Sequence, residues 1–144
     1  MLHPHPSIAP LNLPKPLLGA ALISPWGDFS TTALSYQRNA FKDSIDASVL
    51  RKWSAYFMDG ADTDHYNQPF HAPGSWWIDL NGAVQDVLIT AGTDEVLVDD
   101  IEAFAEKLKV CTSPVEPSVA MDMLINVLES LSMYDCRDRA FRGP

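Results

Sequence analysis

The chain has 144 residues, 47% of them hydrophobic, enough for one domain with a buried core and too apolar for a disordered chain. Nineteen acidic against ten basic residues give a formal charge of −9, which argues against nucleic acid or an anionic membrane surface as partner, since both need a basic footprint. No apolar run approaches the ~20 residues of a membrane span, and "MLHPHPSIAPLNLPKP" lacks the charged-then-apolar order of a signal peptide, so a soluble cytoplasmic protein is the expectation.

Residues 1–17 carry five of the eleven prolines, at positions 4, 6, 10, 14 and 16, which forbids a helix and reads as an extended lead-in. "LLGAALISPW" (Leu17 to Trp26) follows as a short apolar strand stopped by Pro25, and "GDFSTT" after it offers turn and N-cap chemistry through Asp28 and Ser30. From Ser44 to Phe57, Ile45, Val49, Leu50, Trp53 and Phe57 recur at helical spacing, with Gly60 as a stop. "ADTDHYNQPFHAPGSWWIDLNGAVQ" has Pro, Gly and Asn punctuation without a period, so a long loop is expected, with Trp76 and Trp77 folded onto something apolar.

"DVLITAG" reads as the second strand, over 87–91, and Asp99 to Lys109 as an amphipathic helix with Ile101, Phe104, Ala105 and Leu108 inward. "VCTSPVEP" is expected as a third strand over 110–116. Met121 to Tyr134 is expected as a helix, because Leu124, Val127, Leu128 and Leu131 share one helical face. Strands alternating with helices make the class α/β: a parallel sheet in neighbouring order with helices on both faces. Cys111 and Cys136 show no metal-type spacing and are expected as free thiols. His65 and His71 beside Asp62 and Asp64 have neither i, i+4 spacing nor a cysteine to join them, so a solvated polar loop is expected and no metal or other cofactor.

Three stretches in fixed order carry a resemblance: "LLGAALISPWGDFS", then "SVLRKWSAYF" and "HYNQPFHAPGSWW", then "VLITAGTDEVLVDDIEAFAEKLK". Together they resemble the C-terminal half of an α/β-hydrolase of the hormone-sensitive-lipase-like esterase group, especially its fungal members, over about residues 3–125. The resemblance implies a partial α/β-hydrolase fold: a three-stranded parallel sheet edge with flanking helices, residues 1–16 as lead-in and residues 31–80 as a cap-like helical insertion. It also implies a Ser, acid, His triad in that chain order, with the Ser raised on a G-x-S-x-G elbow. Matching "EVLVDD" to the family's "DPLRDE" puts Glu95 on the acid position; moving the gap by one residue puts Asp94 there. That acid would accept the Nδ1–H of a histidine and stabilise the imidazolium. Asp99 and Asp100 are accounted for as caps at the positive end of the following helix.

The partners of that acid do not follow. G-x-S-x-G occurs nowhere in the 144 residues, nor does a His-Gly-Gly oxyanion motif. "VEPSVAMDMLI" resembles the family's "VEPG-x-x-HDxxI" with Met121 in the histidine's place, and a thioether cannot shuttle a proton. His3, His5, His65 and His71 sit in proline-flanked or cap-like segments and are read as bystanders. Trp53, Tyr56, Phe57, Trp76 and Trp77 are candidates to line an apolar acyl pocket, or else to pack as core.

Two functions therefore compete at this level: a serine-esterase-type hydrolase acting on carboxylic esters, and a catalytically incomplete member that binds or scaffolds. Expected partners are a small ester-like ligand and either a second copy or a partner hydrolase chain. A third option recruits Glu95 or Asp28 to non-hydrolytic chemistry on a small molecule.

Overall fold

A computed structural model describes residues 3–9, 13–112 and, for the backbone, 123–128. Three strands, β1 (Leu17–Ile23), β2 (Val84–Gly92) and β3 (Met123–Leu128), form one parallel sheet in the order β1-β2-β3. Leu17 pairs with Val84 and Ile23 with Thr90 on one side of β2, while Val87 pairs with Met123 and Gly92 with Leu128 on the other.

The long connection from β1 to β2 holds two helices, α1 (Ser35–Arg38) and α2 (Ala47–Met58), and three short 3-10 turns at Pro69–His71, Gly74–Trp77 and Leu80–Gly82. α2 starts where Asp46 accepts from the backbone N–H groups of Ser48 (2.6 Å) and Val49 (3.0 Å), satisfying two donors that the helix cannot. It ends in two left-handed residues, Asp59 (φ +42°) and Gly60 (φ +79°). The β2 to β3 connection contains α3 (Val98–Thr112).

The main core lies between the sheet and α3. Val87, Ile89 and Ala91 alternate along one face of β2, as a strand's period of two requires, and meet Ile101, Phe104, Ala105 and Leu108 of α3. Ala20 and Leu22 of β1 extend that face. Phe70 stacks flat on Phe104 (centroids 4.1 Å apart) and Trp77 meets it edge-on at 5.4 Å, so the long connection is folded onto α3. Lys107 fastens it by donating from Nζ to the carbonyls of Phe70 and Ala72.

The third strand differs from expectation. α3 runs through residues 110–112, where a strand was expected; the rest of that stretch, 113–116, lies outside the described residues. The strand is instead "MLINVL", read from sequence as part of a helix. Its apolar residues satisfy both periods, because a short continuous apolar run fits a buried strand as well as a helix face. The free edge of β2, which only the fold reveals, decides between them. Among the described residues α3 covers one face of the sheet, and Leu17, Ile23 and Leu88 on the opposite face are exposed; most of the helix expected over 121–134 lies outside the described residues.

Candidate functional site

The C-terminal ends of β1 and β2 converge on one carboxylate. Ser24, the residue after β1, takes the left-handed conformation (φ +46°), a costly one for a side chain larger than hydrogen. The turn is held by its N–H, which donates to the carbonyl of Thr90 at 2.8 Å. Its hydroxyl thereby donates to Glu95 Oε1 at 2.7 Å, and the N–H of Gly92 donates to the same oxygen at 2.8 Å. Glycine at 92 keeps this contact close, since a Cβ there would stand 3.2 Å from Oε1 and press the carboxylate back by a few tenths of an ångström.

The loop carrying Glu95 is clamped from beneath. Asn39, fully buried, donates from Nδ2 to the carbonyls of Thr93 (3.0 Å) and Glu95 (2.8 Å). Asp43 accepts from the N–H of Val96 at 2.7 Å, and Ser35 donates to the Val96 carbonyl at 2.6 Å. The two candidate acids are thus separated by geometry. Glu95 turns inward between the strand ends, while Asp94 turns outward to an ion pair with Lys42 at 3.0 Å.

Asp99 and Asp100 stand at the positive end of α3, as expected, though neither is recorded bonding that helix's own N–H groups. Both lie in its first turn, and the donor ahead of it, Val96 N–H, is taken by Asp43. Asp99 instead ties α3 to α1, accepting from Ser35 N–H (2.8 Å) and pairing with Arg38 (2.5 Å). The Arg38 hydrogen bond outweighs burial and, with the Ser35 bond, holds the Asp99 carboxyl below its ordinary range. Asp100 goes the other way. Burial, then the neighbouring carboxylates of Asp28 and Asp99, push it from 3.8 up to about 6, and among the described residues its Oδ2 has no hydrogen-bond partner. The hydroxyl of Tyr36 is likewise buried without a partner, and burial followed by the charges of Asp100 and Asp28 raises that phenol.

Asp28 accepts from Ser30 N–H at 2.7 Å and lies 3.1 Å from His71 Nε2. Burial alone would raise it, but the Ser30 and His71 hydrogen bonds bring it below its ordinary value. Sequence reading found neither this pair nor the Asn39 clamp, since contacts between distant segments leave no periodic signal. The remaining histidines surround the lead-in: His3 stacks on Trp76 at 3.8 Å, His65 meets Trp76 edge-on at 5.0 Å, and His5 meets Tyr66 edge-on at 4.8 Å. Among the described residues no histidine bonds Glu95. Met121 lies outside the described residues.

An apolar cavity of about 330 Å³ begins at Pro25, the residue after Ser24. Pro25, Trp26 and Gly27 form its near wall, Ala20 and Leu22 its floor, and Phe70, Trp77 and Phe104 its aromatic side. Of the aromatic residues suggested by sequence, only Trp77 lines it. Trp76 holds the lead-in, and Trp53, Tyr56 and Phe57 point outward from α2, 49%, 71% and 66% exposed. Among the described residues there is no cluster of three or more metal-ligating side chains and no helix long and apolar enough to cross a membrane.

A strand-end carboxylate of this kind, on a parallel sheet joined by helical crossovers, fits one family whose sequence pattern matches residues 7–128: the alpha/beta hydrolase fold. The chain belongs to that family. Solved structures agree. EstE5, in a crystal soaked with p-nitrophenyl butyrate, is 28% identical with a TM-score of 0.59, the match covering 77% of this chain and 33% of EstE5. An esterase/lipase from an uncultured bacterium is also 28% identical (TM-score 0.59), over 77% of this chain and 32% of that one. An esterase of the bacterial hormone-sensitive lipase family shares the fold at 23% identity and a TM-score of 0.57, over 78% and 35%. The chain therefore spans about a third of the length of these solved relatives. No curated protein matches its sequence.

Proposed function

We propose that this chain is a partial esterase-type α/β-hydrolase that contributes the acid position, Glu95, and an apolar acyl wall, and that it is not a hydrolase by itself. The observation carrying this reading is the seating of Glu95. Its Oε1 is occupied by Ser24 and Gly92, and no partner to Oε2 is recorded among the described residues, which leaves an acceptor for an imidazole N–H. Asp94, spent on Lys42, is the weaker candidate. In this reading residues 31–80 stand where a cap would, and Met121 takes the position of the family histidine.

A nucleophile raised on a glycine-flanked elbow is absent from the 144 residues, and without it acyl transfer has no attacking group. What the chain can do alone is bind. The cavity is at the small end of ligand sites, and its walls suit a short acyl chain whose ester group lies towards Pro25. That one relative was soaked with p-nitrophenyl butyrate supports an ester-like ligand.

The test is titration with p-nitrophenyl butyrate, following the indole NMR signals of Trp26 and Trp77 together with nitrophenol release. Saturable shifts of both indoles, abolished by Leu80→Trp in the cavity wall, without enzymatic release are expected. Turnover above the buffer rate, or binding that leaves both indoles unmoved, would contradict the reading.

A further inference from the structure

Apart from the Glu95 loop, the fold brings ionisable groups from four separate segments to one place. Asp28 comes from the loop after β1, Tyr36 from α1, His71 from the turn at Pro69–His71 and Asp100 from α3. Asp28 Oδ1 is oriented by the Ser30 N–H at 2.7 Å, the local turn that aspartate favours, and lies 3.1 Å from His71 Nε2. The carboxylate is sheltered, its side chain 16% exposed, while the imidazole is 51% exposed and open to proton exchange with solvent. Within reach of the Asp28 charge, the Tyr36 hydroxyl and Asp100 Oδ2 are enclosed without a hydrogen-bond partner among the described residues.

The Asp28–His71 pair spans a seam between two walls. Gly27 stands next to Asp28 and Phe70 next to His71, and both line the apolar cavity. Two uncharged bonds cross the same seam: Phe70 N–H donates to the Gly27 carbonyl (3.2 Å), and Phe29 N–H to Gln68 Oε1 (3.0 Å). Trp26, on the near wall, is tied to the same loop through its indole N–H, which donates to the Asp28 carbonyl at 2.9 Å. Of these contacts only the pair changes charge with pH.

We propose that Asp28, His71 and Asp100 form a proton-operated latch, shut when His71 and Asp100 both hold their protons, that fastens the Phe70 side of the cavity to its Trp26 side. The two protons act in the same sense. Asp28 and His71 make an ion pair only while the imidazole is protonated, and histidine is the side chain that changes charge between pH 5 and 8. Burial, then the charges of Asp28 and Asp99, hold the Asp100 proton up to about 6, and the opposing effect of His71 is smaller. Once that proton leaves, a second carboxylate stands against Asp28 with no bond to its Oδ2. Separation of the two, or entry of water between them, relieves the charge.

The other charged groups around the cluster leave that sign unchanged. Asp99 is held by Arg38 and the Ser35 N–H. Burial raises the Tyr36 phenol, which stays neutral throughout. Lys107 donates to the carbonyls of Phe70 and Ala72, on either side of His71, and so keeps that turn on α3 when the latch opens. The segment that moves is therefore the loop from Pro25 to Phe29.

The inference is independent of the role given to Glu95 and needs no ligand. Amide exchange and indole NMR signals of the full chain, followed across pH 5 to 8, test it. Protection of the Phe70 and Phe29 amides, corrected for intrinsic exchange, should fall about tenfold as pH rises, the worth of one pKa unit of coupling. The Trp26 indole N–H should shift with the same midpoint, while the Val96 amide, bonded to Asp43, keeps its protection. Asp100→Asn should retain more of the Phe70 protection at the alkaline end, and His71→Gln should lower it at the acid end. Phe70 protection that is constant or rises with pH overturns the proposal, a result the unmodified protein supplies even if a variant fails to fold. An equal fall in the unmodified protein and both variants overturns it as well.

Discussion

Helices α2 and α3 have similar apolar spacing and opposite fates. In α3 the face of Ile101, Phe104, Ala105 and Leu108 is 5% exposed or less, closed against β2 and the aromatic turns. In α2 only Leu50 is buried, although Trp53 and Phe57 stand on the same stripe. Phe57 finds one edge-on neighbour, Phe29, at 5.8 Å. Spacing reports what a helix could bury, and the layers the fold assembles determine whether it does. α3 spans a crossover onto the sheet, whereas α2 is held in the long connection by its Asp46 cap and by Leu50.

This contrast can be broken at measurable places. Truncating Phe104→Ala empties the stack with Phe70 and Trp77 and should cost about 3–5 kcal/mol in urea unfolding, or prevent folding altogether. Gly27→Ala acts on the same layer from the other side: the added methyl would overlap the Phe70 ring, and displacing that ring should cost about 1–3 kcal/mol.

Asp100 is the polar exception on α3, and its sign is reversed. Its raised pKa means that the folded state binds its proton more tightly than the unfolded chain does. The associated stability is complete below pH 3.8 and lost as pH rises through about 6. Asp28 and Asp99, both lowered, act in the opposite sense: their stability is present above the ordinary carboxylate value and lost as pH falls through their lower folded values. Asp100→Asn should therefore stabilise the protein at pH 7 by about 1 kcal/mol, a value discounted for partial exposure, and flatten the melting temperature between pH 4 and 6. The smallest effect belongs to α2, where Phe57→Ala should change stability by no more than about 0.5 kcal/mol.

What sequence could show follows the same division. β1, β2 and the inward residues of α3 are legible because each obeys a local period that the fold then uses. β3 is not, since "MLINVL" is apolar at both periods and its state depends on the free edge of a strand some 30 residues earlier. The loop proposed to carry the acid is singled out by the order of motifs around "GTDEVLVDD". Its support is not: Ser24 meets Glu95 across 71 positions and Asn39 reaches it across 56, and no spacing rule spans such separations. Of the aromatic residues expected around a pocket, Trp77 lines the cavity, in company with Trp26, Phe70 and Phe104, and the three on α2 do not.

The central claim is that the chain carries the acid side of an esterase-type site without its nucleophile. Incubation with a fluorophosphonate probe followed by intact-mass spectrometry tests it most directly. The account predicts an unmodified mass at probe concentrations that label a complete serine esterase in the same tube. A single stoichiometric adduct mapping to any one serine of this chain would contradict it.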